Sequence, residues 1–288
     1  MAKNCVDQLP YKMRPGTSPT MDPSHRWTLP DQASALAWAR DRRARGIRCT
    51  LALLDEYART ADAARANVDA DIACIRTIPP ESAGTSLSVK PSAIGSLFDP
   101  NTTIGHAIRI AREASLNGVP LEIDMEGKGA VDLTLDAAIA CRKEHELVTV
   151  ALQSYLRRTG EDIRTMVAKG IGVRLVKGAY LGDYDDPAQI REATRKDAGL
   201  FRELHAPFSL GTHDPDLIDW VIRKFGDEKG LVEFGFLKGL SETTKIRLAG
   251  EGWNVSEYVP FGAGGDAYVM RRERYLRDLE RSGRVPAP

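Results

Sequence analysis

Eight short apolar runs, starting roughly 20–40 residues apart, constrain this chain's fold more than any other feature. They are TLALLDE (50–56), SLSVKPS (86–92), PLEIDME (120–126) and VTVALQS (148–154), then GVRLVKGAY (172–180), FSLGTHD (208–214), VEFGFLKG (232–239) and NVSEYVPFG (254–262). Each is nearly continuous in apolar residues, which suggests strands buried on both faces in a parallel sheet. The stretches between them read as helices. IGHAIRIAREASLNG is one, with Gly118 placed to cap its C-terminus, and LDAAIACRKEHE, DIRTMVAKG and PDLIDWVIRKFG follow the same style. Eight strand–helix units predict an α/β protein with a closed, TIM-like (β/α)8 barrel. An open, doubly wound sheet is the rival architecture. Residues 1–30 are proline-rich and lack periodicity, so they read as a loose arm. Residues 31–47 read as a helix that Asp31 can cap. The expected organisation is arm and helix over 1–47 and barrel over 48–288.

The 288 residues suit one such barrel as well as two ordinary domains. With 40 basic and 40 acidic side chains the net charge is zero, and nothing global recommends nucleic acid or an anionic membrane as partner. Cys5, Cys49, Cys74 and Cys141 share no metal-binding or disulfide spacing, and the N-terminal stretch lacks the apolar core of a secretory signal. A reducing cytoplasm is therefore expected. The oligomeric state stays open.

The runs begin apolar and acquire polar residues at their C-terminal ends. Glu56 follows the first, Lys90 the second, Asp124 and Glu126 the third, and Gln153 the fourth. Arg174, Lys177 and Tyr180 occupy the fifth, Thr212 and His213 the sixth, and Tyr258 the eighth. In a parallel barrel these ends share one face, where active sites are built. Lys90, Arg174, Lys177, Arg271 and Arg272 offer cations for a carboxylate or phosphate. His213 with one or two carboxylates is too thin a set for a metal. Two chemistries survive. One is a Schiff-base enzyme with Lys90 or Lys177 as nucleophile. The other is a cofactor site whose cations bind phosphates and an acidic substrate.

The same residues resemble the proline dehydrogenase family, whose members are flavin-dependent, distorted (β/α)8 barrels. RLVKGAY carries the resemblance most strongly. SVKPSA, EIDME, LQSYL, GTHD, EFGFLKGL, YVPFG and the Tyr-x-x-Arg-Arg of Tyr268 to Arg272 support it in consistent order.

The resemblance implies FAD as cofactor and oxidation of L-proline to Δ1-pyrroline-5-carboxylate. Hydride would pass from C5 to flavin N5, and electrons onward to a membrane quinone or another acceptor. Peripheral contact with the inner membrane would give access to a quinone. A substituted proline is the neighbouring alternative. By the same resemblance, Lys90, Asp124, Arg174 and Tyr258 form the catalytic set. Lys90, Tyr180, Leu237, Tyr258, Tyr268, Arg271 and Arg272 surround the substrate, with the two arginines clamping its carboxylate. Gln153, Arg174, Val176, Lys177, Gly178, Thr212 and His213 contact the flavin. Glu56 would gate the site by pairing with Arg271. The chain departs from the family's usual pattern at Leu181, Gly235, Lys238 and Tyr275.

Overall fold

A computed structural model describes residues 26–82, 84–263, 265, 268–270 and 272–273. Its strands are β1 (Ile47–Leu53), β2 (Ser86–Val89), β3 (Leu121–Ile123), β4 (Val148–Gln153), β5 (Gly172–Val176), β6 (Phe208–Gly211), β7 (Val232–Leu237) and β8 (Asn254–Phe261). All pair in parallel in sequence order, and β8 returns to β1 from Ile47↔Val255 to Leu53↔Phe261. The barrel is closed, so the open-sheet rival falls. The helices are α1 (Gln32–Ala44), α2 (Ala61–Thr77), α3 (Pro100–Asn117), α4 (Val131–Arg142), α5 (Thr159–Ala168), α6 (Pro187–Glu203), α7 (Pro215–Phe225) and α8 (Glu242–Gly250). Asp31 caps α1 by accepting from Ser34 N at 2.8 Å, and Gly118 ends α3 in the left-handed region at φ 64°.

The strands are less uniformly apolar than their sequence suggests. One set of alternate residues, including Leu51, Leu87, Leu121, Val150, Leu175, Leu210, Phe234 and Val255, belongs to the buried hydrophobic core. The other set is polar and meets across the lumen. Thr50 on β1 donates to Glu122 on β3 at 2.7 Å, and Tyr258 on β8 donates to Asp124 just past β3 at 2.6 Å. Strands that are not neighbours reach each other this way only through the barrel interior. A strand with a hydrocarbon face outward and a polar face inward obeys the period of two, not the unbroken pattern expected.

Residues 26–30, expected as part of a loose arm, are strapped to the barrel mouth. The rest of that arm, with Cys5, lies outside the described residues. Leu29 N donates to Pro260 O and Gly262 N donates to Leu29 O, both at 2.9 Å, which adds an extended segment alongside β8. Helix α1 is held by a buried polar knot. Glu257 of β8 accepts from Lys245 Nζ at 2.5 Å and from Trp38 Nε1 at 2.8 Å, with Arg42 Nε at 3.4 Å. Lys245 and Glu257 are both fully buried, so each charge depends on the other for compensation.

Candidate active site

The polar residues at the C-terminal ends of β2, β3, β5 and β8 converge on one carboxylate. Asp124 Oδ2 accepts from Tyr258 Oη at 2.6 Å and lies 3.5 Å from Lys90 Nζ, while Asp124 Oδ1 pairs with Arg174 Nη2. Lys90 Nζ also donates to Tyr258 Oη at 3.1 Å. The Arg174 guanidinium carbon stands 5.3 Å from the centre of the Tyr258 ring. The four sequence-predicted catalytic residues are thus one connected cluster, although they come from four separate strand ends.

The protonation states follow from burial and neighbours. Burial opposes the charge on Asp124, but Arg174 and Lys90 outweigh it and hold the carboxyl at about 2. Burial likewise opposes the charge on Lys90, where Tyr258 and Asp124 prevail and push the ammonium up. Arg174 is raised by Glu122 and Asp124 against the same penalty. The Tyr258 phenol is pushed up by burial and by Asp124, so it remains a donor. A Schiff-base nucleophile must be a neutral amine. The neighbours of Lys90 favour the opposite, charged state, which counts against the Lys90 version of that chemistry.

Beneath this cluster lies a second carboxylate that sequence reading missed. Glu122 Oε2 is 3.2 Å from Arg174 Nη1, and Glu122 Oε1 accepts from Thr50 Oγ1 and Ser86 Oγ, each at 2.7 Å. Side chains of Lys90, Asp124, Glu122 and Arg174 are all 13–15% exposed, so the four charges sit together with little water to screen them.

The residues expected to face a cofactor lie around the ends of β4, β5 and β6. Gln153 is buried, and its Nε2 donates to Glu126 O at 3.2 Å. Its Oε1 and the Nε of Arg174 are buried without a hydrogen-bond partner among the described residues. An acceptor and a donor left in this way suit a ligand that carries polar atoms of its own, as the ring system of a flavin does. Lys177 Nζ donates to Asp214 Oδ2 at 3.1 Å. Thr212 Oγ1 accepts from Asp214 N at 3.1 Å. Val176 packs its Cγ1 where a Cβ on Gly211 would stand, 2.8 Å away. His213 has both ring nitrogens engaged within the protein. Nε2 accepts from Leu237 N at 3.1 Å, which makes Nδ1 the donor to Ser241 Oγ at 2.9 Å. Burial holds the ring neutral, so what it can offer a ligand is its face and C–H edge.

The loop after β5 is set by Tyr155, a residue to which sequence reasoning assigns no role. Gly178 adopts φ +122°, and a Cβ there would lie 2.5 Å from the Tyr155 ring. A Cβ on Gly182 would strike the same ring. Tyr155 O accepts from Asp183 N and Tyr184 N at 2.9 and 3.1 Å, so one residue seats the loop that carries Lys177 and Tyr180. Tyr180 itself is partly buried against the core.

On the opposite side, Tyr268 is buried with Trp27 and Leu240, and Leu237 packs against that cluster. The Arg272 guanidinium stands 4.7 Å from the Tyr268 ring centre, and its Nε is buried without a partner among the described residues. Glu56 is half-buried and electrostatically coupled to Lys90. Arg271 lies outside the described residues, and with it the expected Glu56–Arg271 pairing. Tyr275 lies outside them too.

Comparison with known proteins agrees with this architecture. Residues 35–196, more than half of the chain, match the family model described as proline dehydrogenase. Proline dehydrogenase 2 of Bacillus subtilis (strain 168) is 29% identical over 253 residues, covering 84% of this chain and 82% of its own. Proline dehydrogenase of Deinococcus radiodurans is 34% identical over 200 residues, covering 65% and 64%. Among solved structures, proline utilization A (PutA) from Bdellovibrio bacteriovorus, inactivated by N-propargylglycine, superposes with a TM-score of 0.77 at 19% identity. A PutA mutant from Bradyrhizobium japonicum gives 0.74 at 22%. The alignments cover 85% and 91% of this chain but 32% and 31% of those proteins, so the chain spans about a third of their length. Those two establish the fold. By its family match, the chain belongs to the proline dehydrogenase family of oxidoreductases.

Proposed function

We propose that this chain oxidises L-proline to Δ1-pyrroline-5-carboxylate with FAD as its cofactor. The observation that carries the reading is the pair of buried cations, Lys90 and Arg174, sharing Asp124 at the C-terminal mouth of a barrel of this family. The substrate loses a hydride from C5 and the proton on its nitrogen, leaving a C=N bond. A bound flavin supplies the two-electron acceptor for that hydride, and a quinone or another carrier then takes the electrons.

The chain's own residues bind and orient. Lys90, kept charged, and the planar Arg271 and Arg272 receive the carboxylate, where charge-assisted and bidentate contacts fix the angle of the ring. Tyr180, Leu237, Tyr258 and Tyr268 enclose the pyrrolidine and exclude water. Asp124 holds Tyr258, Lys90 and Arg174 in register. Gln153, Val176, Lys177, Gly178, Thr212 and the face of His213 receive the flavin, and Gln153 Oε1 and Arg174 Nε are the two polar atoms whose partners it would supply. Glu56 gates the clamp. Tyr258, fixed through its hydroxyl, leaves no slack for a ring substituent, which favours proline over a substituted proline. The catalytic unit is residues 48–288. No helix of the described residues is long and apolar enough to cross a membrane. We place the chain in the cytoplasm, where peripheral contact would bring it to a membrane quinone.

An absorption spectrum taken before and after anaerobic addition of L-proline tests the reading. Bleaching of a flavin band is the expected result, and a bound flavin that proline leaves oxidised would overturn it. Arg272→Met should raise KM for proline while flavin stays bound. A kcat/KM higher for hydroxyproline than for proline would reverse the choice of substrate.

A further inference from the structure

The substrate side of the site is completed by a segment that precedes the barrel altogether. Trp27 is 1% exposed and forms a cluster with Leu240 and Tyr268, against which Leu54, Leu237 and Val269 pack. Its indole Nε1 donates to Glu273 Oε1 at 2.6 Å. The segment that holds Trp27 is itself anchored on both flanks. Leu29 is hydrogen-bonded to Pro260 and Gly262, while Arg26 O accepts from Lys238 Nζ at 3.0 Å and Arg26 Nε donates to Gly239 O at 3.3 Å. The fit is close. A Cβ on Gly239 would lie 2.5 Å from Arg26 O, and one on Gly265 would lie 2.9 Å from Leu54 Cδ1 and 3.4 Å from Thr28 Cγ2.

Helical spacing gives this contact its meaning. Residues 268–270 and 272–273 are helical, and residues four apart share a helix face, so Tyr268 and Arg272 project together, and Val269 and Glu273 project together on the adjoining face. Trp27 touches both faces, packing on Tyr268 and bonding Glu273. Two contacts on adjoining faces fix the rotation of a helix about its axis, which packing on one face alone leaves free. We infer that Trp27 is a positioning residue for substrate binding: through Glu273 it sets the azimuth of the helix that presents Tyr268 and Arg272 to the site. This rests on the proline-binding role proposed above, though the contact itself does not.

The experiment separates the two. Trp27→Phe keeps an aromatic ring in the cluster and deletes the indole donor. Glu273→Ala deletes the acceptor, and Glu273→Gln restores one. A hydrogen bond to a charged group is worth enough to predict a rise of about tenfold in KM for proline in Trp27→Phe and in Glu273→Ala. Flavin content and kcat should be unchanged, and the double variant should be no worse than either single one. Glu273→Gln, which keeps an acceptor without the charge, should fall between wild type and Glu273→Ala. An unchanged KM in Trp27→Phe, multiplying effects in the double variant, or a Glu273→Gln as damaged as Glu273→Ala would overturn the inference. Hydrogen exchange across residues 268–273 should accelerate in Trp27→Phe, and unaltered exchange there would also overturn it. If wild-type protein is not reduced by proline, the functional reading fails, and the exchange measurement still decides the strap.

Discussion

The guanidinium of Arg174 is divided between two carboxylates, with Nη1 3.2 Å from Glu122 Oε2 and Nη2 paired to Asp124. Glu122 thus withdraws part of the positive field that Arg174 would otherwise direct at a cofactor. Glu122→Gln preserves an acceptor for Thr50 and Ser86 while removing the charge. The midpoint potential of the flavin proposed above should shift to more positive values, read by anaerobic dye equilibration. A potential equal to wild type would mean that the charge does not reach the flavin. Breaking this buried pair should also lower unfolding stability by about 1–3 kcal/mol, since the bonds to Thr50 and Ser86 survive while Arg174 loses an acceptor to an amide NH2.

Asp124 should keep its contribution to stability until well into the acid range. The folded carboxyl of Asp124, at about 2, lies below its ordinary 3.8, so its contribution to stability is complete above pH 4 and disappears as pH falls towards 2. That contribution is about 2 kcal/mol. In urea melts between pH 5 and 2.5, Asp124→Asn should show a shallower decline than wild type, though from a lower starting point. Parallel declines would rule out this linkage.

Asp197 on α6 has the opposite sign. Burial pushes its carboxyl up to about 6 from 3.8, so the folded state holds a proton that the unfolded chain has released. Stability is therefore greatest below pH 4, falls as pH rises to 6, and remains lower at pH 7. Asp197→Asn should raise the melting temperature at pH 7, with a gain no larger than about 3 kcal/mol. A lower melting temperature would show that the ionised carboxylate has compensation that burial does not reveal.

The two glycines against Tyr155 should not tolerate a methyl group. Gly182→Ala drives a Cβ into the Tyr155 ring and main chain, which should cost about 1–3 kcal/mol and, on the role proposed above for Lys177 in the same loop, weaken flavin retention. Gly199 provides the contrast. It lies inside α6 with no atom beyond its chain neighbours and the helix's own backbone within 4 Å of the place an added methyl would take, so Gly199→Ala should stabilise by about 0.5–1 kcal/mol. Thermal melts of the two variants should move in opposite directions.

All eight strands are legible as apolar runs because their outward residues are hydrocarbon almost without exception. The runs overshoot the C-terminal ends of β2, β3 and β5, since Lys90, Asp124 and Lys177 stand just beyond the ladder. Helices α2, α6 and α8 leave weaker traces. Their buried faces include Asp71, Thr194, Asp197 and Lys245, which a hydrophobic period does not register. Within the site, Lys90, Asp124, Arg174 and Tyr258 can be gathered by topology alone, because parallel strand ends share a face. Glu122 cannot be placed by that rule. It lies one layer deeper, and only the two-residue alternation of Thr50, Ser86, Glu122 and Arg174 marks it as a lumen residue. Trp27 carries no local signal, since its role depends on a helix at the far end of the chain.

That distance has a consequence for how the protein comes into being. Trp27 and Glu273 are 246 positions apart, whereas Gln153, Arg174, Lys177 and Thr212 lie on or just past three successive strands. The arc proposed to face the flavin is thus built from short-range pairings that can form as they are synthesised, while the arc proposed to face proline waits for β8 to return to β1 and for residues 268–273 to find their strap. Pulse-labelled exchange during refolding should protect β4, β5 and β6 ahead of β8. The enzyme would then acquire the shape of its cofactor site before it acquires a place for its substrate.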